Sequence, residues 1–307
     1  MRATKRVWGP AAVRVLLVGL ATAALGTGVG AAPAAAAKPS TLREEVLQPG
    51  GLRVTFAVPA GYTGTTPVPL VVALHFAGNV TPFFGKGFLT ALVEPGLRDL
   101  GAVIAAPDCR GRGWTDPTSE ADVLALVDHA MHAYRIDPAR VLLTGYSMGA
   151  MGTWYLAARH QDLFSAALIV SGLPLAHAAE VDWRIPLYLI HSRDDERLLL
   201  KPTADVVKRL EAEGRDVKLV VVSGLTHYQV PGFVPYVRAA VPWIEDAWRR
   251  QRAAPATAGA GAGRHASETG AGASSGGGSG SASGAGSPAT SSGSTASGAS
   301  RRGAGSS

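Results

Sequence analysis

Seven short apolar runs, separated by amphipathic stretches, constrain this chain more than any other feature. They are LRVTFAV (52–58), PLVVALH (69–75), AVIAAP (102–107), RVLLTG (140–145), SAALIVSG (165–172), PLYLIHS (186–192) and VKLVVVSG (217–224). The last five are almost unbroken apolar sequence, which suits strands covered on both faces, the environment of a parallel sheet. Helical candidates lie between them at about 84–100, 119–134, 148–160, 202–213 and 234–250. Asp122, Val123, Leu126, Val127, Ala130 and Met131 repeat at the spacing of a buried helix stripe, as do Ala204, Val207 and Leu210. Strand and helix alternating in this way predict an α/β sandwich with a mostly parallel central sheet. In such sheets the loops at the carboxyl ends of the strands carry the chemistry. Only about a dozen residues separate SAALIVSG from PLYLIHS, so no cap domain is evident.

The two ends read differently from this core. Arg2, Lys5, Arg6 and Arg14 precede the apolar VLLVGLATAALGTGVG and the small-residue run AAPAAAAKPS. That order predicts a signal peptide over 1–37, cleaved after Ala37, and hence a secreted protein without a stable membrane anchor. From 253 to 307 the chain is Gly, Ala and Ser with scattered Thr, too poor in apolar surface to offset its ordering entropy, and a disordered tail is expected. Residues 38–252 form one domain-sized unit. The chain has 29 Lys and Arg against 23 Asp and Glu, but 38–252 holds 22 of each, so its net charge gives no reason to expect a nucleic-acid partner. Cys109 is the single cysteine, which rules out an internal disulfide and suits a small buried filler.

RVLLTG runs into Tyr146-Ser147-Met148-Gly149 and then into small helix-compatible residues. This is the strand, turn and helix context that a G-x-S-x-G nucleophile needs: Ser147 at the tip of a sharp turn, with Gly145 and Gly149 leaving room for strand and helix to cross. A serine hydroxyl is a poor nucleophile until a base takes its proton, and that base is oriented by a carboxylate. Asp194 and Asp195 follow the end of PLYLIHS, and His227 follows the end of VKLVVVSG, giving the chain order serine, acid, histidine. Met148 N–H, next after the nucleophile, is placed to hold a developing oxyanion. Trp114, in RGRGWTD, either lines the leaving-group side of the site or caps the core; Tyr146 is taken as a substrate-binding residue. His129 and His132 beside Asp128 lack a third ligand and read as a solvated helix face, so no metal is expected. His75 and His191 each close a buried strand and read as structural.

At these residues the chain resembles the α/β-hydrolases, within them the secreted esterases related to dienelactone hydrolases, feruloyl esterases, polyhydroxybutyrate depolymerases and predicted peptidases. The likeness covers about 50–250 and is strongest over RIDPARVLLTGYSMGAMGTWYLAARHQDLFSAALIVSG. HSRDDERL is similar to H-G-x-x-D-x-x-V, with Ser192 for Gly and Leu198 for Val, and this alignment selects Asp195 as the acid. LHFAG resembles L-H-G-x-G, which implies Ala77 N–H as the second oxyanion donor. Phe76 replaces the first Gly of that motif, a departure that either re-aims the loop or sets an aromatic wall at the acyl pocket. The resemblance implies a three-layer α/β-hydrolase catalytic domain over 38–252, acting without a cofactor, as a monomer, on carboxylic esters of polymeric or plant-derived origin. Acyl transfer or peptide hydrolysis would use the same residues. A non-catalytic hydrolase-like binding protein would need no such set in order.

Overall fold

The computed structural model describes residues 37–253; residues 1–36, where a signal peptide is expected, and 254–307, where a disordered tail is expected, lie outside the described residues. Eight strands form one sheet: β1 (Thr41–Leu47), β2 (Leu52–Val58), β3 (Val68–Leu74), β4 (Val103–Pro107), β5 (Ile136–Tyr146), β6 (Ala166–Val170), β7 (Leu187–Ser192) and β8 (Val217–Val222). Their spatial order is β1-β2-β4-β3-β5-β6-β7-β8. The hairpin β1–β2 and the β2–β4 pair are antiparallel; every pairing from β4 to β8 is parallel. The sheet is therefore mostly parallel, as expected.

Alternation along each strand divides the core. Leu70, Val72 and Leu74 of β3, Val141 and Leu143 of β5, and Leu187 and Leu189 of β7 face one side. They meet α3 (Pro117–Ala133), α4 (Met148–Arg159) and α5 (Leu200–Ala212) through Val123, Leu126, Val127, Trp154, Leu156, Val207 and Leu210. Val71, Ala73, Leu142, Tyr188 and Ile190 face the other side and pack on Phe88, Leu92 and Leu97 and on α6 (Val234–Ala253). Two helical layers around one sheet make the three-layer sandwich, and explain why the central runs are apolar at every position.

Two elements depart from the sequence reading. β1 has no inward-facing stripe to read: TLREEVL is an edge strand, exposed over most of its length and rich in charge, which is how natural sheets blunt an edge. The helix expected over 84–100 is broken into α1 (Gly85–Phe88), a π turn at Leu89–Val93, α2 (Glu94–Leu97) and a 3-10 turn at Arg98–Leu100. Pro95 accounts for the break: it cannot donate to the preceding turn, and its ring would clash there. The wider π turn just ahead of it, closed by Glu94 N–H to Leu89 C=O, accommodates the ring.

A partly buried polar cluster ties α3 to α4. Glu120 accepts from Tyr155 Oη (2.8 Å), Arg159 Nε (2.8 Å) and His160 Nε2 (2.7 Å). Burial by itself would raise the Glu120 carboxyl, but these charge-assisted bonds outweigh it and hold it down to about 2. A carboxyl lowered on folding contributes stability above its unfolded value, and that contribution disappears as pH falls through its folded value. Wild type should therefore be more stable than Glu120→Gln at neutral pH, and the gap should close between about pH 4.5 and about 2. Urea unfolding of both proteins across that range checks it; a gap independent of pH would refute the assignment.

Candidate active site

The site is built at the carboxyl edge of β3, β5, β7 and β8. Ser147 sits between β5 and α4 with φ 56° and ψ −116°, a strained conformation for a residue with a side chain. The turn tolerates no bulk on either side: a Cβ on Gly145 would lie 2.2 Å from Gly149 O, and a Cβ on Gly149 would lie 1.8 Å from Leu74 O. The two glycines thus let α4 cross directly over β3 and β5, and the crossing holds Ser147 at the sheet edge.

Around Ser147 the geometry is that of a proton relay. His227 Nε2 lies 2.9 Å from Ser147 Oγ, and His227 Nδ1 lies 2.8 Å from Asp195 Oδ2. An ionised carboxylate can only accept, so Nδ1 carries the proton, Nε2 is free to accept, and the Ser147 hydroxyl donates. Asp195 is 2% exposed, and its other oxygen accepts from Arg197 N–H (3.0 Å) and Leu198 N–H (2.8 Å), which fixes the carboxylate plane. Asp194 points elsewhere, with Oδ2 accepting from Gly224 N–H at 2.6 Å. The loop turns the Asp194 carboxylate towards the backbone ahead of His227.

The loop after β3 brings Phe76 and Ala77 to the same place. His75 is fully buried; its Nε2 accepts from Cys109 N–H at 3.0 Å, and its Nδ1–H donates to Phe76 C=O at 2.7 Å. Burial lowers its pKa, consistent with a neutral ring whose proton sits on Nδ1. Because C=O and N–H point in opposite directions across a trans peptide, pinning Phe76 C=O also sets the direction of Ala77 N–H. Phe76 packs its ring edge-on against Phe84 and Phe88 and walls the cleft. Met148 opens α4, where the first N–H groups of a helix have no acceptor within it.

Phe76 and Ala77 line a cleft of about 430 Å³ with Ser147 and His227 in its wall. Leu198, Val230 and Tyr228 supply its apolar surface, and Arg197 stands at its rim. Tyr228 is 71% exposed and stands perpendicular to the His227 ring at 5.8 Å. Sequence reasoning passed over Tyr228; its position directly after the histidine was the available signal. Tyr146 lines the cleft, yet only 1% of it is exposed and its hydroxyl donates to His227 C=O at 2.7 Å. Trp114 requires correction. It is 1% exposed, outside the cleft lining, and packed on Gly152, with its indole N–H donating to His75 C=O at 2.8 Å. It is a core residue behind the β3 loop.

The remaining candidates stand apart from the cleft. Cys109 is buried with Sγ 3.3 Å from Ser119 Oγ, and burial raises its pKa, away from a reactive thiolate. His191 is buried and donates from Nε2 to Leu198 C=O at 2.7 Å, bracing the segment after Asp195. His129 lies against Phe56 and Glu45, and His132 against Asp128.

Known proteins share this architecture. Residues 110–253 match the Dienelactone hydrolase family. "Protein usf" of Aquifex pyrophilus is 29% identical over 128 residues, covering 39% of this chain and 55% of that protein. An acetylxylan esterase of Coprinopsis cinerea is 29% identical over 117 residues, covering 34% of this chain and 30% of that protein. The chain thus spans about half or less of the length of these relatives. The crystal structure of a thermostable esterase superposes with a TM-score of 0.56 at 22% identity, covering 67% of this chain and 62% of the other. The order and direction of the strands, the helices on both faces of the sheet and these likenesses together show that the chain has the α/β-hydrolase fold, with a Dienelactone hydrolase family match over residues 110–253.

Proposed function

We propose that this protein is a serine hydrolase that cleaves carboxylic esters through an acyl-enzyme on Ser147. The observation that carries the proposal is the continuous set of short contacts from Asp195 through His227 to Ser147, 2.8 Å and 2.9 Å, opening into one cleft. The esterase named among the relatives is in keeping with it. His227 Nε2 takes the Ser147 proton as Oγ attacks the ester carbonyl, and the new C–O bond pushes the carbonyl electrons onto oxygen. Met148 N–H and Ala77 N–H receive that oxyanion, and such preset donors commonly supply the largest share of catalysis. When the intermediate collapses, the alcohol leaves with the proton from His227. Water, deprotonated in turn by His227, then attacks the acyl-serine, releasing the acid and restoring the hydroxyl. Asp195 holds the imidazole in the tautomer this needs and offsets the charge it gains.

The basic, apolar and small-residue order of 1–37 supports action outside the cell, and the open cleft suits the ester groups of large substrates as well as small ones. The protein is taken to work as a monomer without a cofactor, since the groups this chemistry needs come from one chain. Stopped-flow hydrolysis of p-nitrophenyl acetate tests the two-step course. A burst of nitrophenol that scales with enzyme concentration, followed by slower turnover, is expected wherever deacylation limits the rate. No hydrolysis of p-nitrophenyl, feruloyl or polyester substrates by the purified protein would reject the proposal.

A further inference from the structure

The acid loop and the histidine loop are joined by more than the Asp195–His227 contact. Ser192 Oγ donates to Leu225 C=O at 2.6 Å, Asp194 accepts from Gly224 N–H, and Glu196 Oε2 accepts from His227 N–H at 3.0 Å. From the other side Tyr146, the residue before Ser147, donates its hydroxyl to His227 C=O at 2.7 Å. The consecutive carboxylates Asp194, Asp195 and Glu196 thus take three different partners: the Gly224 amide, the His227 ring and the His227 amide.

The Glu196 and Tyr146 side chains act on the two peptide groups that flank the His227 Cα. The N–H of His227 belongs to the peptide before it and the C=O to the peptide after it. Fixing both planes fixes φ and ψ, and with them the direction of the Cα–Cβ bond that aims the imidazole. The Glu196 bond is charge-assisted and so among the stronger of its kind. The Tyr146 hydroxyl is buried, and its ring packs 5.5 Å from both the His227 and Phe233 rings. Burial pushes its pKa well above the ordinary range, so it remains a donor throughout the working pH range. Both the hydroxyl and the carboxylate bond the backbone of the base.

We propose that Tyr146 and Glu196 are positioning residues that clamp the His227 backbone from opposite sides, and that Tyr146 links the aim of the base to the strand end that carries the nucleophile. This rests on the role proposed above for Ser147 and His227. A relay of this kind loses rate steeply when one member drifts, up to about 100-fold for a displacement near 1 Å.

The test uses full-length protein with p-nitrophenyl acetate. Tyr146→Phe removes one oxygen and keeps the packed ring; Glu196→Ala removes the exposed carboxylate and serves as the second probe if Tyr146→Phe does not fold. Each single change should lower kcat about 10- to 100-fold while KM stays within about twofold. In a His227→Ala background the same changes should cost nothing further, since the group they position is gone. A loss of equal size with and without His227, a loss that falls on KM, or a kcat within about twofold of wild type would each overturn the clamp. Ser147→Ala run alongside separates the two levels. An active Ser147→Ala protein rejects the nucleophile, whereas an inactive one beside fully active Tyr146→Phe and Glu196→Ala rejects the clamp alone.

Discussion

Ser147→Ala is expected to fold as wild type does and to hydrolyse p-nitrophenyl acetate about 10⁶-fold more slowly, the scale at which removal of a serine nucleophile acts elsewhere. The side-chain oxygen contributes one contact, to His227 Nε2, and the backbone bond from Ser147 N–H to Val170 C=O survives the change. Alanine occupies the same backbone with one atom fewer, so the strain at φ 56° is neither relieved nor deepened by a new clash. What disappears is the atom proposed to form the acyl-enzyme. The residual rate should come from the oxyanion donors and from binding. Thermal melts beside the assay separate this from misfolding, which would lower both readouts together.

Asp195→Asn should cost about 10⁴-fold in kcat, and the reason lies in the second oxygen of Asp195. Its Oδ1 accepts from the backbone of Arg197 and Leu198, so in the variant the amide oxygen must occupy that position. The amide NH₂ is then turned towards His227 Nδ1, which becomes an acceptor. The imidazole proton moves to Nε2 and faces Ser147 Oγ, where a base is required. Asp194→Asn presents no such conflict, because an amide oxygen can take the Gly224 N–H in place of the carboxylate. It should cost less than about tenfold. Steady-state kinetics of the two variants check the order, and a reversed order would place the working acid one residue earlier.

Much of this architecture was legible because the central strands are buried on both faces and therefore leave unbroken apolar runs. The edge strand β1 was not legible, since exposure removes the very alternation by which strands are read. The run at 84–100 has helical composition, but Pro95 imposes a π turn that composition does not display. At the site, Gly145 and Gly149 announce the turn because two backbones cross there with no space for a side chain. The choice between Asp194 and Asp195 could be made only by resemblance, because both share a loop and each finds a partner across the same gap. Trp114 stood equally for cleft or core in the sequence; its indole N–H finds an acceptor in His75 C=O, a partner 39 residues away. The tie from Tyr146 to His227 spans 81 residues and leaves no local signature, so a tyrosine beside the nucleophile reads as a substrate contact until the fold is known.

The central claim is that one serine becomes covalently modified. Brief incubation of full-length protein with a fluorophosphonate, followed by proteolysis and peptide mass spectrometry, tests it most directly. A single adduct on Ser147, absent from Ser147→Ala and slowed in Asp195→Asn, is the predicted result; an adduct on any other residue, or none on a protein that hydrolyses esters, would contradict it.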